Sequence, residues 1–239
     1  PQVVEQSLRR LQTDYIDLYQ FHWPNRGSYM FRKNWAYDPS GQNRAETLAH
    51  MEETLHALKA EVARGTIRAF GLSNESAWGT AQWLAMAEAT GGPRVASIQN
   101  EYSLMCRLAD TDLAELMVNE DVGLLPFSPL AAGLLSGKYQ GGAQPEASRI
   151  TINGDLGGRV GPRAFEAVAA YLEVAQRFGL DPVHMALAWT VQRPFVCSTI
   201  FGATTAQQLA HILDGTDLVL SPEVMAALDA AHRAHPMPF

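Results

Sequence analysis

Polar residues that could take part in chemistry recur in this sequence directly after short apolar segments. These residues are His22, Ser73 with Asn74, Gln99, Ser128 and Thr204. Imidazole, hydroxyl and amide groups can hydrogen-bond a polar ligand or stabilise negative charge that develops on an oxygen. In α/β proteins the carboxyl ends of buried strands are where ligands and catalytic groups collect. The pattern therefore predicts one site built from several strand ends.

His22 is the most informative of these residues. It ends the segment 15–22, whose β-branched and aromatic residues favour a buried strand. Pro24 lies two residues further on and cannot donate an N–H to a strand ladder. His22 is therefore expected at the carboxyl end of a strand. Its side chain could have a functional or a structural role.

The elements that would position these residues alternate along the chain. Strands are predicted at 15–22, 67–72, 95–100, 123–127 and 196–201. Helices are predicted at 3–11, 45–64, 77–90, 110–119 and 164–178, from 181 onward, before 213 and at 222–234. Five strands, each followed by a helix, indicate a parallel α/β sheet in a single domain over residues 1–239.

Two architectures fit this alternation, an open doubly wound sheet and part of a (β/α)8 barrel. No G-x-G-x-x-G motif follows any predicted strand, which argues against a dinucleotide-binding Rossmann unit. Polar residues follow every strand instead, as in a barrel whose site draws on all strand ends. We therefore expect an incomplete TIM barrel with about five βα units and a C-terminal helix.

Composition excludes several classes of partner. The formal net charge of -7 over 239 residues argues against nucleic acid as a partner. No apolar segment approaches the roughly 20 residues that a membrane helix needs, and no secretory signal is visible. Cys106 and Cys197 have no metal-type spacing, so no metal site is expected. These features predict a soluble cytoplasmic protein.

Several segments together resemble the aldo-keto reductase superfamily. They are residues 7–19, His22, 71–74, 98–103, 127–130 with 137–139, 181–189 and 201–205. The resemblance extends over essentially the whole chain in order. Among subfamilies the chain is most similar to the bacterial Tas-type reductases and their relatives, the potassium channel β subunits.

The resemblance implies a (β/α)8 barrel that binds a nicotinamide cofactor, usually NADPH, and reduces aldehydes or ketones by hydride transfer. By position His22 matches the histidine that orients the carbonyl oxygen of a small-molecule substrate. Ser73, Asn74 and Gln99 match residues that hydrogen-bond the nicotinamide carboxamide. Ser73 and Asn74 could also simply cap the next helix.

Other parts of the cofactor are matched further along the chain. Phe127 matches the aromatic residue that stacks on the nicotinamide ring, although it could equally be a core residue. Ser128, Leu130 and Lys138 match the segment that covers the pyrophosphate.

Gly202, Thr204 and Gln208 match the site of the adenosine 2′-phosphate and adenine. Ile212 stands where many relatives carry an asparagine, and it cannot replace an amide contact to adenine. NADP(H) is therefore the expected cofactor, with NAD(H) as the alternative.

The family places its catalytic Asp, Tyr and Lys on strands before the one that ends in His22. The chain thus resembles the C-terminal two-thirds of the barrel, and we expect that it lacks the N-terminal third and is inactive as it stands. The alternative is a non-catalytic nucleotide-binding or sensor subunit like the channel β subunits. The sequence leaves the oligomeric state open.

The segment 24–44, called loop 24–44 below, is rich in aromatic residues. Trp23 with Tyr29, Phe31, Trp35 and Tyr37 could wall a substrate pocket, or the rings could pack the loop on itself.

Overall fold

The computed structural model describes residues 2–239 and shows an α/β architecture. The strands are β1 (Ile16–Gln20), β2 (Ile67–Ser73), β3 (Val95–Gln99) and β4 (Gly123–Leu124). The helices are α1 (Gln2–Leu11), α2 (Arg44–Ala63), α3 (Ala77–Thr90), α4 (Asp112–Glu120), α5 (Arg149–Ile152), α6 (Pro162–Phe178), α7 (Pro182–Val191), α8 (Ala206–Asp214) and α9 (Pro222–Ala234). The predicted order of helices and strands is confirmed as far as β4.

The four strands form one parallel sheet in the order β1-β2-β3-β4. Leu18 is in register with Ala69 on β2, and Ser73 is in register with Gln99 on β3. Because the pairing is parallel, the carboxyl ends of all four strands lie along the same edge of the sheet. The residues that follow β1, β2 and β3 are thus brought to one edge, whereas Thr204 follows no strand of this sheet.

The predicted fifth βα unit is wrong in one respect, because residues 196–201 do not form a strand. Ile200 makes a single parallel bridge to Phe127, and its N–H donates to Pro126 O at 2.8 Å. The fourth strand is also shorter than predicted. Pro126 has no N–H, so it cannot continue a ladder toward Phe127 and offers its neighbours only a carbonyl. The β-branched residues of 196–201 favour a strand. A ladder also needs a partner strand whose backbone N–H and C=O groups are both available.

The described chain separates into two compact units. The first contains residues 2–100 and 111–124, and the second contains residues 101–110 and 125–239. The prediction of a single domain stays a prediction.

The core of the first unit lies between the sheet and α2 and α3. Phe70 on β2 is fully buried, and its ring centroid lies 6.0 Å from that of Trp83 on α3. Met51 and Leu55 on α2 are buried as well. A ring of this size buries enough apolar area to dominate local packing, so these contacts fix the helices on the strands.

The core of the second unit is centred on Trp189 of α7, which has no exposed surface. Its ring stacks on Tyr102 with 5.1 Å between centroids, and Phe195 packs edge-on against the same tyrosine. Tyr171 on α6 donates a hydrogen bond to Leu104 O at 2.6 Å. Aromatic packing with a satisfied hydroxyl thus joins α6 and α7 to residues 101–110.

Helix starts follow the capping residues in the sequence. Asn43, Ser76, Asp181, Thr205 and Ser221 each accept a hydrogen bond from a first-turn N–H. Within residues 2–239, no helix combines the length and apolar character needed to cross a membrane.

Candidate functional site

His22 lies just beyond the end of β1, in a cleft of about 220 Å³ in the first unit. Its imidazole is exposed and stacks on Trp23, with 4.4 Å between ring centroids and 17° between planes. Arg26, Ser73 and Glu75 also line the cleft. The stacked ring leaves its edge nitrogens accessible, so His22 can donate a hydrogen bond to a bound oxygen.

The backbone around His22 is held by Asn74, which follows β2. Asn74 Nδ2 donates to His22 O at 2.8 Å and to Ser73 Oγ at 3.1 Å. Ser73 Oγ in turn donates to Gln99 O at 2.6 Å, and Asn74 N donates to the same carbonyl at 3.1 Å. The ends of β1, β2 and β3 are therefore tied together by one hydrogen-bond chain. The structure thus brings together His22, Ser73, Asn74 and the Gln99 carbonyl.

Asn74 has two features that an ordinary helix cap does not need. Its φ is +56°, in the left-handed region that non-glycine residues rarely adopt. The residue is 1 % exposed, yet Oδ1 has no hydrogen-bond partner among the described residues. A buried amide oxygen without a partner costs free energy, and an N–H donor of a ligand would satisfy it. The helix cap at this position is supplied by Ser76 instead.

A buried ion pair beside the cleft was not predicted from the sequence. Arg26 Nη1 donates to Glu75 Oε2 at 3.0 Å, and Nη2 donates to Glu75 Oε1. The two side chains are only 7 % and 3 % exposed. Asn100 braces Glu75 by accepting from its N–H at 3.2 Å and donating to its carbonyl at 2.9 Å. The pair spans 49 residues of sequence, and local patterns carry no signal for such a contact.

Gly79 on α3 makes room for this ion pair. A Cβ added at Gly79 would lie 2.1 Å from Arg26 Nη2 and 2.2 Å from Glu75 Oε1. These distances are far below van der Waals contact. A glycine inside a helix normally costs stability relative to alanine, so here its value lies in the space it leaves for the bidentate pair.

The aromatic residues of loop 24–44 divide between the two roles left open by the sequence. Tyr29 and Tyr37 pack on each other, with 5.9 Å between centroids. Trp23 meets Phe31 edge-on at 6.2 Å, and both rings remain exposed next to His22. Part of the loop therefore packs on itself, while Trp23 and Phe31 present an apolar surface beside the imidazole.

The second unit carries the remaining predicted residues. Phe127 bridges Glu101 on one side and Ile200 on the other. Ser128 has φ +54°, and its carbonyl accepts from Ala131 N at 2.8 Å. Leu130 O accepts from Gly133 N at 2.9 Å. Residues 127–133 thus form a series of tight turns directly after the Phe127 bridge.

Lys138 lies at the end of this segment and is exposed, with Nζ 5.0 Å from the Tyr139 ring. Arg159, by contrast, is buried and paired with Glu101, at 2.7 Å between Nη2 and Oε1. Of these two cations, Lys138 is therefore the better placed to meet an anion from solvent.

Gly202, Thr204 and Gln208 lie together at the start of α8, and all three are exposed. Thr204 N and Oγ1 donate to Gln208 Oε1 at 2.9 and 3.0 Å, and Gln208 N donates to Thr205 Oγ1 at 3.1 Å. This reciprocal arrangement is a variant of the capping box. It uses the amide oxygen of Gln208 for the helix and leaves the amide nitrogen for another partner.

Comparison with known proteins gives the class to which this fold and these strand-end residues belong. The model of the aldo/keto reductase family matches residues 2–233. The chain belongs to this family, whose members in general have the TIM-barrel fold.

Individual relatives agree with this assignment. Protein tas of Escherichia coli K12 is 42% identical over 237 residues, which cover 99% of this chain and 67% of the relative. An aldo-keto reductase of Babesia bovis is 35% identical over 215 residues, covering 86% of this chain and 75% of the relative. A probable voltage-gated potassium channel subunit beta of Arabidopsis thaliana is 28% identical over 242 residues, covering 96% and 66%. These shared lengths do not support the predicted loss of an N-terminal third.

Proposed function

We propose that this aldo/keto reductase family member is an NAD(P)H-dependent oxidoreductase that acts on the carbonyl group of aldehydes or ketones. The observation that carries the proposal is the hydrogen-bond chain of Asn74, with its buried, unpartnered Oδ1 beside His22. When bound, the nicotinamide cofactor supplies the hydride. The residues described below would bind the cofactor and orient the substrate.

Asn74 Oδ1 would accept a hydrogen bond from the carboxamide of the nicotinamide. Its Nδ2 is already used for His22 O and Ser73 Oγ, so the amide cannot turn without breaking two hydrogen bonds. This restraint fixes the direction of the acceptor Oδ1. A fixed acceptor would let the protein select which face of the nicotinamide ring points at the substrate. Ser73 and Gln99 support the same position from β2 and β3.

His22 would donate a hydrogen bond from its imidazole to the carbonyl oxygen of the substrate. Such a bond strengthens as negative charge develops on that oxygen. Stacking on Trp23 and the contact of Asn74 with the His22 carbonyl restrict the ring and its backbone. The exposed faces of Trp23 and Phe31 favour an apolar group next to the carbonyl.

In the second unit, Phe127, Ser128, Leu130 and Lys138 would serve the nicotinamide ring and the pyrophosphate. Gly202, Thr204 and Gln208 would serve the adenosine end. The turns after Phe127 and the exposed Lys138 support these roles. The N-terminus of α8 favours binding of a phosphate group of the cofactor. NAD(H) stays the alternative to NADP(H).

We further propose that this chain binds the cofactor without turnover. The proposal is supported by the described lining of the His22 cleft, which includes His22, Ser73 and Glu75 but no tyrosine or lysine. The same observation favours a second candidate function, a nucleotide-binding sensor subunit, since channel β subunits are among the relatives.

The test is NADPH binding by quenching of tryptophan fluorescence, together with an aldehyde-reduction assay on the same polypeptide. We expect binding without turnover, and absence of binding would overturn the cofactor role. Any turnover that is found should fall about a hundredfold in His22→Ala, with NADPH affinity unchanged. Equal turnover in His22→Ala would overturn the role of His22.

A further inference from the structure

The second unit brings one carboxylate and two imidazoles together where α7 and α8 meet. Asp181, His184 and His211 each offer one potential ligand atom, and these atoms lie within 4.8 Å of one another. His184 and His211 are 27 residues apart in sequence. Sequence spacing therefore predicted no metal site, and only the fold unites the three side chains.

The potential ligand atoms of Asp181 and His211 lie as far apart as two ligands of one metal ion. His211 Nε2 lies 3.3 Å from Asp181 Oδ2. In a tetrahedral zinc site with ligand bonds of about 2.0–2.1 Å, neighbouring ligand atoms lie about 3.4 Å apart. The other carboxylate oxygen, Oδ1, accepts from the N–H groups of Val183 and His184 at 2.8 and 3.0 Å. The helix cap thus holds the carboxylate and leaves Oδ2 directed at His211.

His184 is oriented by the backbone of α8. Its Nε2 lies 2.5 Å from His211 O, and a carbonyl oxygen can only accept, so Nε2 carries the hydrogen. In the neutral ring Nδ1 then has the lone pair. Metal-binding histidines commonly donate their second ring N–H to a carbonyl in this way.

Gly215 provides the space in which the His184 ring lies. A Cβ at Gly215 would lie 2.3 Å from His184 Cγ. The φ of Gly215 is -98°, which any residue can adopt. Glycine is therefore needed here for room and not for its conformation, and the site has a fixed ring as well as suitable ligands.

We propose that Asp181, His184 and His211 bind a borderline divalent cation, with Zn²⁺ preferred, and leave a fourth position to water. Two imidazoles and one carboxylate are a common zinc ligand set. Mg²⁺ and Ca²⁺ prefer oxygen ligands throughout and should bind poorly. The bound ion would link the N-terminus of α7 to α8. This proposal does not depend on the proposed reductase function.

The test is a titration of chelator-treated, tag-free protein with Zn²⁺ by calorimetry, with Mg²⁺ as the comparison. We expect one equivalent of Zn²⁺ to bind and to raise the melting temperature, and Mg²⁺ to do neither. His184→Ala and His211→Ala should lose this binding. His56→Ala, an exposed histidine on α2 outside the cluster, should retain it.

Gly215→Ala tests the geometry while keeping all three ligands. Displacement of the His184 ring should weaken Zn²⁺ binding about tenfold or more. The proposal is overturned if wild-type protein binds no Zn²⁺, or if both histidine variants bind it as tightly as wild type. If a variant fails to fold, Co²⁺ bound to the wild type decides, because a spectrum of octahedral type would contradict the proposed tetrahedral site.

Discussion

A single residue, Asn74, combines three unfavourable features in the first unit. It is buried, it has a left-handed backbone, and one of its amide atoms has no partner among residues 2–239. Non-glycine residues in such conformations persist where surrounding contacts hold them, and they are common at functional sites. The two hydrogen bonds of Nδ2 are the contacts that hold Asn74.

Replacement of Asn74 by alanine, compared with a control variant, separates the contribution of its hydrogen bonds from the cost of its left-handed backbone. The variant loses the bonds to His22 O and Ser73 Oγ, at a cost of about 1–3 kcal/mol in the free energy of unfolding. A left-handed alanine adds about 1 kcal/mol. Asp121→Ala is the matched control, because Asp121 is exposed with φ 52° and should show only the conformational cost. Equal losses in urea denaturation would show that the hydrogen bonds contribute nothing.

Two buried tyrosines in the second unit make the free energy of unfolding depend on pH in the alkaline range. Burial and the neighbouring negative charge of Asp110 raise the pKa of Tyr102, whose hydroxyl donates to that carboxylate. Burial likewise raises the pKa of Tyr171. The folded protein therefore keeps both protons at a pH where the unfolded chain has lost them.

The free energy of unfolding should accordingly be unaffected by these groups below about pH 10 and fall above it. Each tyrosine contributes a slope of about 1.4 kcal/mol per pH unit. Tyr102→Phe and Tyr171→Phe should each remove one such contribution from the stability-pH curve. Tyr15→Phe, at an exposed tyrosine, should leave the slope unchanged. An identical slope in all variants would contradict the assignment.

At the scale of elements, side-chain hydrogen bonds hold loop 24–44 to the residues that follow β2 and to itself. Arg26 pairs with Glu75, and Ser28 Oγ donates to Asn74 O at 2.9 Å. Gln42 Nε2 donates to Arg26 O at 3.1 Å. The buried ion pair and the Ser28 hydrogen bond therefore tie the first part of the loop to the residues that follow β2.

Arg26→Ala would leave Glu75 as a buried charge without its cation, which costs about 3–5 kcal/mol. The comparison is Arg68→Ala, since Arg68 pairs with Asp17 at 2.5 Å with both side chains mostly exposed. An exposed pair of this kind is worth about 1 kcal/mol or less. Urea denaturation gives both values, and limited proteolysis should show faster cleavage within loop 24–44 only in Arg26→Ala. Equal stability losses in the two variants would contradict the role of the pair.

At the scale of the whole molecule, cofactor binding should appear as added stability. A ligand that binds only the folded chain at 100 times its dissociation constant adds about 2.7 kcal/mol. NADPH should therefore raise the melting temperature, and ATP, which lacks the nicotinamide, should raise it less. An equal effect of the two nucleotides would contradict recognition of the nicotinamide by Asn74.

The strand-end positions of His22, Ser73, Asn74 and Gln99 could be predicted from the sequence because strand pattern and helix caps are local. The strand predicted at 196–201 was wrong because pairing depends on a partner, and the neighbouring backbone contains Pro126. The pair of Arg26 with Glu75 and the cluster that joins Asp181 and His184 to His211 were missed for a related reason. Their partners are distant in sequence, and no periodicity reports such contacts.

The way loop 24–44 is held also has a consequence for protein engineering. Arg26 and Ser28, near its start, tie the loop to the residues that follow β2. Tyr37 and Gln42 hold its second half to the first half, because Gln42 Nε2 donates to Arg26 O and to the Tyr37 hydroxyl and the Tyr37 ring packs on Tyr29. Sequence changes in the loop that keep these five residues should leave β1 and β2 unaltered, so new substrate preferences could be introduced there without redesign of the strands.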